Sequence, residues 1–194
     1  MKLKPFYQGK LDVFCAMYAV LNGLRLTHGI RTLKARDLLN ETLLGLSTNP
    51  AAFRAVLNQE TDYIAIVDSM LRVCGKRYPL QVIKPFTVEN RPDVDAFWQA
   101  CHAWLNPAGE AAENRAIILR FARYDNLDEP PRVRHWTTID TIDSEIIHLF
   151  DSSHEAESIQ NLRRNLIVTR SKDVTAEKRI YIQPDSVRFL RLPF

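Results

Sequence analysis

The hydrophobic period of this chain changes near residue 115, and that change limits the fold more than any other feature. Before it, apolar residues recur at helical spacing. The segments are Val13 to Leu26, about Leu33 to Leu46, about Pro50 to Cys74 in two pieces, and Asp93 to Leu105. Asn49 is placed to cap the helix that Pro50 opens. After residue 115 the runs are β-branched, aromatic and short: Ala116 to Tyr124, Arg132 to Thr141, Glu145 to Phe150, Arg179 to Ile182 and Val187 to Leu192. Asp143-Ser144 and Gln183-Pro184-Asp185 read as turns between them. Leu80 to Lys84 is a short extended piece between two prolines, and Ser152 to Asn165 reads equally as a short helix or a loop. Helices first and an antiparallel sheet second make an α+β protein, with a helical half over about 1–114 and a sheet half over about 115–194. A length of 194 residues suits one domain, 1–194.

Several functional classes are disfavoured by the same sequence. Lys and Arg exceed Asp and Glu by 26 to 23, without basic runs, so there is no strong nucleic-acid signal. No apolar run approaches the roughly 18 residues of a membrane span. Nor is there the apolar stretch of a secretory leader behind Met1-Lys2-Leu3-Lys4, which predicts a cytoplasmic protein, or one exported without a cleaved signal peptide. Cys15, Cys74 and Cys101 are odd in number, far apart and without a C-x-x-C pair, so neither a disulfide framework nor a metal site is expected, and no cofactor motif is present.

Cys15 stands apart from the other two because it follows Asp12, a good N-cap, by three residues. That predicts a thiol near the third helical position, where unpaired N–H groups and the helix dipole favour an anion. A small buried hydrophobe at a helix start is an equal reading until a partner is found. The partner is His135, on a predicted strand, with Asp151 at the end of the next strand sixteen residues on. A three-residue turn would place His135 directly across from Asp151, and a two-residue turn would make them diagonal. A thiol nucleophile, a base and a group that orients the base are the three parts of acyl-transfer chemistry. Gln8, just ahead of the helix, is placed to offer an amide to the developing oxyanion beside the Cys15 N–H.

Gln, then Cys opening a long helix, then His at a strand start and Asp at the end of the following strand resembles the papain-like cysteine peptidase superfamily. The stretch Cys15-Ala-Met-Tyr-Ala-Val-Leu-Asn-Gly-Leu24 is most similar to the compact bacterial branch that includes the double-glycine, bacteriocin-processing peptidases. The resemblance covers nearly the whole chain and implies a papain-like fold with Cys15 as nucleophile, His135 as general base, Asp151 as orienting acid and Gln8 as oxyanion donor. It implies hydrolysis of a peptide or amide bond in a peptide or protein substrate. Acyl transfer or deamidation by an effector, and an inactive interaction module, are the alternatives. The Gln-to-Cys spacing of seven is one longer than is common in the family, and Ala16 stands where many members have Gly.

Among the remaining candidates, Cys101 and His102 are adjacent on a helix and so point apart, and Cys74 reads as packing. His28 suits a helix C-terminus, His148 is out of phase with Asp151, and His154 lies in a loop near it. Trp136 reads as core or as a shield for the His/Asp pair, and Arg132, Arg134, Arg163 and Arg164 as a solvated basic face or as a frame for an acidic substrate.

Overall fold

The computed structural model describes residues 3–8, 13–61, 63–107, 114–153 and 161–193. Five helices, α1 (Cys15–His28), α2 (Thr32–Ser47), α3 (Pro50–Leu57), α4 (Tyr63–Gly75) and α5 (Val94–Leu105), fall where the helical period predicts them. Local chemistry sets several of their ends. The Asn49 side chain accepts from Ala52 N–H at 3.1 Å and Asp93 from Ala96 N–H at 2.8 Å, so both short helices start on a filled cap. Gly29, at φ 63°, stops α1 in the left-handed conformation, and its N–H returns to the Arg25 carbonyl.

The start of α1 differs from expectation. Asp12, the expected cap, lies outside the described residues, and Phe14 occupies the N-cap position without a side-chain cap bond. Cys15 is therefore the first helical residue rather than the third. Met17 and Tyr18 both donate to the Phe14 carbonyl, which leaves the Cys15 and Ala16 N–H groups without an acceptor inside the helix.

The sheet runs β1-β7-β2-β3-β4-β5. Its strands are β1 (Gln81–Ile83), β2 (Arg115–Arg123), β3 (Val133–Ile142), β4 (Ile146–Leu149), β5 (Asn161–Arg163), β6 (Ile167–Val168) and β7 (Ile180–Arg191). Pairing is antiparallel throughout, save for the short β6, which runs parallel beside the start of β7. The extended piece after Pro79 is an edge strand on the end of β7, and Asn161–Arg163 adds a strand where a helix or a loop was expected. Gln183-Pro184-Asp185 does not divide two strands. The register against β2 jumps from Ile118↔Arg188 to Arg120↔Gln183, so the segment is a bulge inside one long β7. Ser186 replaces the lost ladder bonds: its hydroxyl accepts from Arg120 N–H at 2.8 Å and donates to the Gln183 carbonyl at 2.6 Å.

Both faces of the sheet are covered, which explains why β2 is apolar almost without interruption from Ala116 to Phe121. Met17, Leu21, Leu24 and Met70 pack with Ile118, Trp136 and Leu190 on one side. Phe97, Trp98 and Cys101 of α5 pack with Ile117, Leu119 and Ile139 on the other. The helix that opens on Cys15 approaches the sheet closely at Gly23, where an added Cβ would lie 2.8 Å from Leu190 Cδ1 and 3.3 Å from Ile118 Cδ1. The ends of those side chains can yield to one methyl group but not to a branched side chain. Gly23→Val is expected to lower unfolding free energy in urea by about 1–3 kcal/mol, and Gly23→Ala by less. Equal, small losses for the two would show that α1 has room to move.

Candidate active site

His135 stands near the start of β3, paired across to Phe121 of β2, whose ring packs edge-on against the imidazole at 5.9 Å. The expected His135–Asp151 contact is present: Nε2 lies 2.9 Å from Oδ2 and 3.2 Å from Oδ1, with both residues buried. The register that delivers it is not the expected one. Asp143 Oδ1 accepts from the Glu145 and Ile146 N–H groups, each at 2.8 Å, and so closes a wider turn than the sequence suggests. Ile142 then faces Ile147 and Thr141 faces His148. After a shift Ile139 faces Leu149, and Phe150 N–H donates to the Thr138 carbonyl at 2.7 Å. Asp151 thus comes level with Thr137, diagonal to His135, a separation that a carboxylate and an imidazole can bridge. Ser153 N–H donates to Asp151 Oδ1 at 2.7 Å and holds the carboxylate in place.

The third member arrives from α1. The half-buried Cys15 side chain lies close enough to the imidazole to act on its charge. Because Asp151 engages Nε2, Nδ1 is the nitrogen left for the thiol. Charge follows geometry. Burial alone would lower the His135 pKa, but the hydrogen bond to Asp151 and the charges of Asp151 and Cys15 outweigh it and push it up to about 10. Burial would likewise raise the Asp151 carboxyl, yet the hydrogen bond to His135 and its charge hold it below the usual carboxylate range. Both shifts favour a charged imidazolium–carboxylate pair, the electrostatic setting that a thiolate nucleophile requires.

Gln8 comes to the site through its main chain. Its N–H donates to the Ser152 carbonyl at 2.7 Å, next to Asp151, and two residues earlier the Phe6 backbone is clamped by the Asn22 side chain of α1 through bonds of 2.7 and 3.3 Å. The N-terminal segment is thus tied both to α1, which opens on Cys15, and to the loop that holds Asp151. Tyr63 was not singled out from sequence. It opens α4, is buried, donates its hydroxyl to the Val56 carbonyl at 2.8 Å, and has its pKa raised by burial and by the charge of Cys15. In sequence it is one more apolar-face residue, and only the packing of α4 brings it near the thiol.

The other candidates fall elsewhere. Cys74 and Cys101 are buried, while His102 is exposed on the outer side of α5. His28 ends α1 with its ring edge-on to Tyr78 and Nε2 3.1 Å from the Pro79 carbonyl, and burial lowers its pKa, which works against a helix-end cation there. His148 is held by Asn161 at 2.9 Å and faces Asp143 at 3.5 Å. His154 lies outside the described residues. Trp136 is part of the core under α1. The four arginines do not form one frame: Arg132 pairs with Asp125 and Arg164 with Asp95, each at 2.7 Å, and Arg163 lies with Arg164 in a separate cleft. Among the described residues, no group of three His, Cys, Asp or Glu side chains converges as metal ligands would, and no helix is long and apolar enough to cross a membrane. No protein-family model, curated protein or solved structure matches the chain.

The charge state of His135 is directly measurable. Its ring signals in NMR are expected to stay in the imidazolium position through neutral pH and to titrate towards pH 10. Asp151→Asn, which keeps a hydrogen-bonding group but removes the charge, should move that titration well down. A wild-type midpoint near the ordinary value of about 6.5 would show that the carboxylate and thiol do not act on the ring as described.

Proposed function

We propose that the chain is a papain-like cysteine hydrolase of one domain that cleaves a peptide or amide bond. The observation that carries this reading is the buried His135, which holds Asp151 on Nε2 and has the Cys15 side chain near enough to act on its charge. In the proposed cycle the Cys15 thiolate adds to the amide carbonyl carbon. The oxyanion is received by the Cys15 N–H, which has no acceptor within α1, and by the Gln8 side chain. The His135 imidazolium gives its proton to the leaving nitrogen as the C–N bond breaks, and a thioester on Cys15 remains. Neutral His135 then takes a proton from water, whose oxygen attacks the thioester. The C–S bond breaks, the acid leaves, and thiolate and imidazolium are restored. Asp151 stays ionised throughout and keeps the ring turned towards the thiol.

The test is incubation of the wild-type protein and Cys15→Ala with a proteome-derived peptide mixture, read by mass spectrometry. New termini that appear only with the wild type are the expected result. The acyl-enzyme is shared with related reactions, so acylated amines in place of new termini would make the protein a transferase, and glutamine or asparagine converted to acid a deamidase. Identical spectra from the two proteins, together with a Cys15 no more reactive than Cys74, would overturn catalysis and leave an interaction module.

A further inference from the structure

The end of the sheet that carries His135 also carries a pocket of about 260 Å³, lined by residues of β2, β3 and β7, Phe121 and Arg134 among them. Arg120, Arg134, Tyr124, Tyr181 and Gln183 stand around it, and among the described residues no carboxylate lines it. Arg134 is exposed at its rim, one residue from His135. Arg120 is half-buried, and its Nη1 donates to a neutral acceptor, Gln183 Oε1, at 3.0 Å. The nearby acid, Asp185, accepts from Gln183 Nε2 at 3.4 Å rather than from either guanidinium. Two arginines thus line a cavity that, among the described residues, has no carboxylate in its lining, beside two phenols able to donate. Arg120 pairs across to Trp136 and Ala122 to Arg134, so both arginines stand on the face of the sheet that α1, the helix opening on Cys15, covers through Trp136 and Ile118.

We propose that this pocket is an anion subsite that receives a carboxylate of the substrate close to the amide bond attacked by Cys15, an inference that rests on the cysteine-hydrolase reading. A planar carboxylate matches a guanidinium edge and a phenol, and such charge-assisted bonds are among the stronger polar contacts. The volume lies below the roughly 300–1,000 Å³ of pockets that enclose a whole small ligand, so it suits one side chain or one chain end. An acidic side chain and a free C-terminus offer the same group, and a matched pair of probes separates them.

The probes are peptidyl vinyl sulfones that differ only as Glu or Gln, and peptidyl epoxides that end in a free carboxylate or a carboxamide. The readout is the rate at which Cys15 gains the probe mass, expressed as the acid-to-amide ratio within each pair. A ratio of about ten or more is expected in one pair, and the pair that shows it identifies the source of the carboxylate. The ratio should fall towards one in Arg120→Gln and in Arg134→Gln, and in wild type as salt rises. Arg134 is exposed, so its variant reads the subsite even if Arg120→Gln disturbs the fold. Cys15 labelled equally by acid and amide members would overturn the subsite and leave the hydrolase reading standing. A preference that survives in Arg134→Gln and in a folded Arg120→Gln would place the cation elsewhere and overturn it too. Cys15 left unlabelled by all four probes would overturn the hydrolase reading, and the subsite with it.

Discussion

Iodoacetamide at neutral pH is expected to alkylate Cys15 at least about a hundredfold faster than Cys74 or Cys101, and loss of His135 is expected to remove most of that advantage. The two comparison thiols are poor nucleophiles for physical reasons. Cys74 is 1% exposed, and burial pushes its pKa up to about 11, which leaves about one part in 10⁴ as thiolate at pH 7. Burial raises Cys101 still further. Cys15 is half-buried, and the His135 pKa near it is raised by Asp151 and Cys15, which favours a cation beside the thiol. His135→Ala would strand a buried carboxylate at Asp151, so the informative variant is His135→Gln, whose amide can still donate to Asp151 but carries no charge. If Cys15 in a folded His135→Gln protein reacts as fast as in wild type, the imidazole does not activate it. The pH window follows from the two shifts. The His135 pKa is raised, so its stabilising charge is fully present below its ordinary value of about 6.5 and is lost as pH rises through about 10. The Asp151 carboxyl is depressed, so its contribution is present above the ordinary carboxylate range and is lost as pH falls through the depressed value. The pair therefore spans neutral pH, and the Cys15 advantage should fade as pH approaches about 10.

What could be read from the sequence and what could not divide along the range of the interactions. Asn49 was legible as a cap because a cap needs only the next three residues. The helical and strand halves were legible because burial of one or both faces imprints a period. The β7 bulge was not, because Gln183-Pro184-Asp185 has turn chemistry and only the β2 ladder, with Ser186 bridging the gap, keeps the chain in one strand. The edge role of Gln81–Ile83 likewise depends on a strand about a hundred residues later. At the site, the residue types and chain order identified His135 and Asp151 although the register behind their pairing was wrong. An Asx-type turn at Asp143 and a shift near Thr141 move the ladder, and the reach of the side chains absorbs the difference. Tyr63 and Arg120 gave no local signal. Each matters through what α4 and β7 bring against it, and nothing in the residues on either side of them encodes that.

Asp68→Ala is expected to cost about 3–5 kcal/mol of unfolding free energy, the largest loss from any single side chain outside the apolar core. Its partner Arg188 is 1% exposed on β7, yet carries a full charge. Asp68 of α4 meets it with both oxygens, Nε to Oδ1 at 2.7 Å and Nη2 to Oδ2 at 3.1 Å, while Nη1 donates to the Asp185 and Val187 carbonyls at 2.6 and 3.0 Å. Removing the carboxylate leaves a buried guanidinium with neutral acceptors alone, a far larger penalty than the net worth of the pair. Lys84, which also reaches Asp68 at 2.6 Å, is more than half exposed, so Lys84→Ala should cost no more than about 1 kcal/mol. Burial works to raise the Asp68 pKa, but Arg188 and then Lys84 outweigh it and hold the carboxyl below its ordinary range. The linkage sign is therefore that of a depressed acid: the stabilisation is present above about pH 4 and is lost as pH falls through the depressed value. Urea unfolding of the three proteins at pH 7 and pH 3 checks both parts, and a loss below 1 kcal/mol for Asp68→Ala would mean that water reaches Arg188. The clamp also bears on chemistry. It joins α4 to the strand whose bulge positions Gln183 against Arg120, so a loosened clamp should also loosen the β7 bulge beside Arg120.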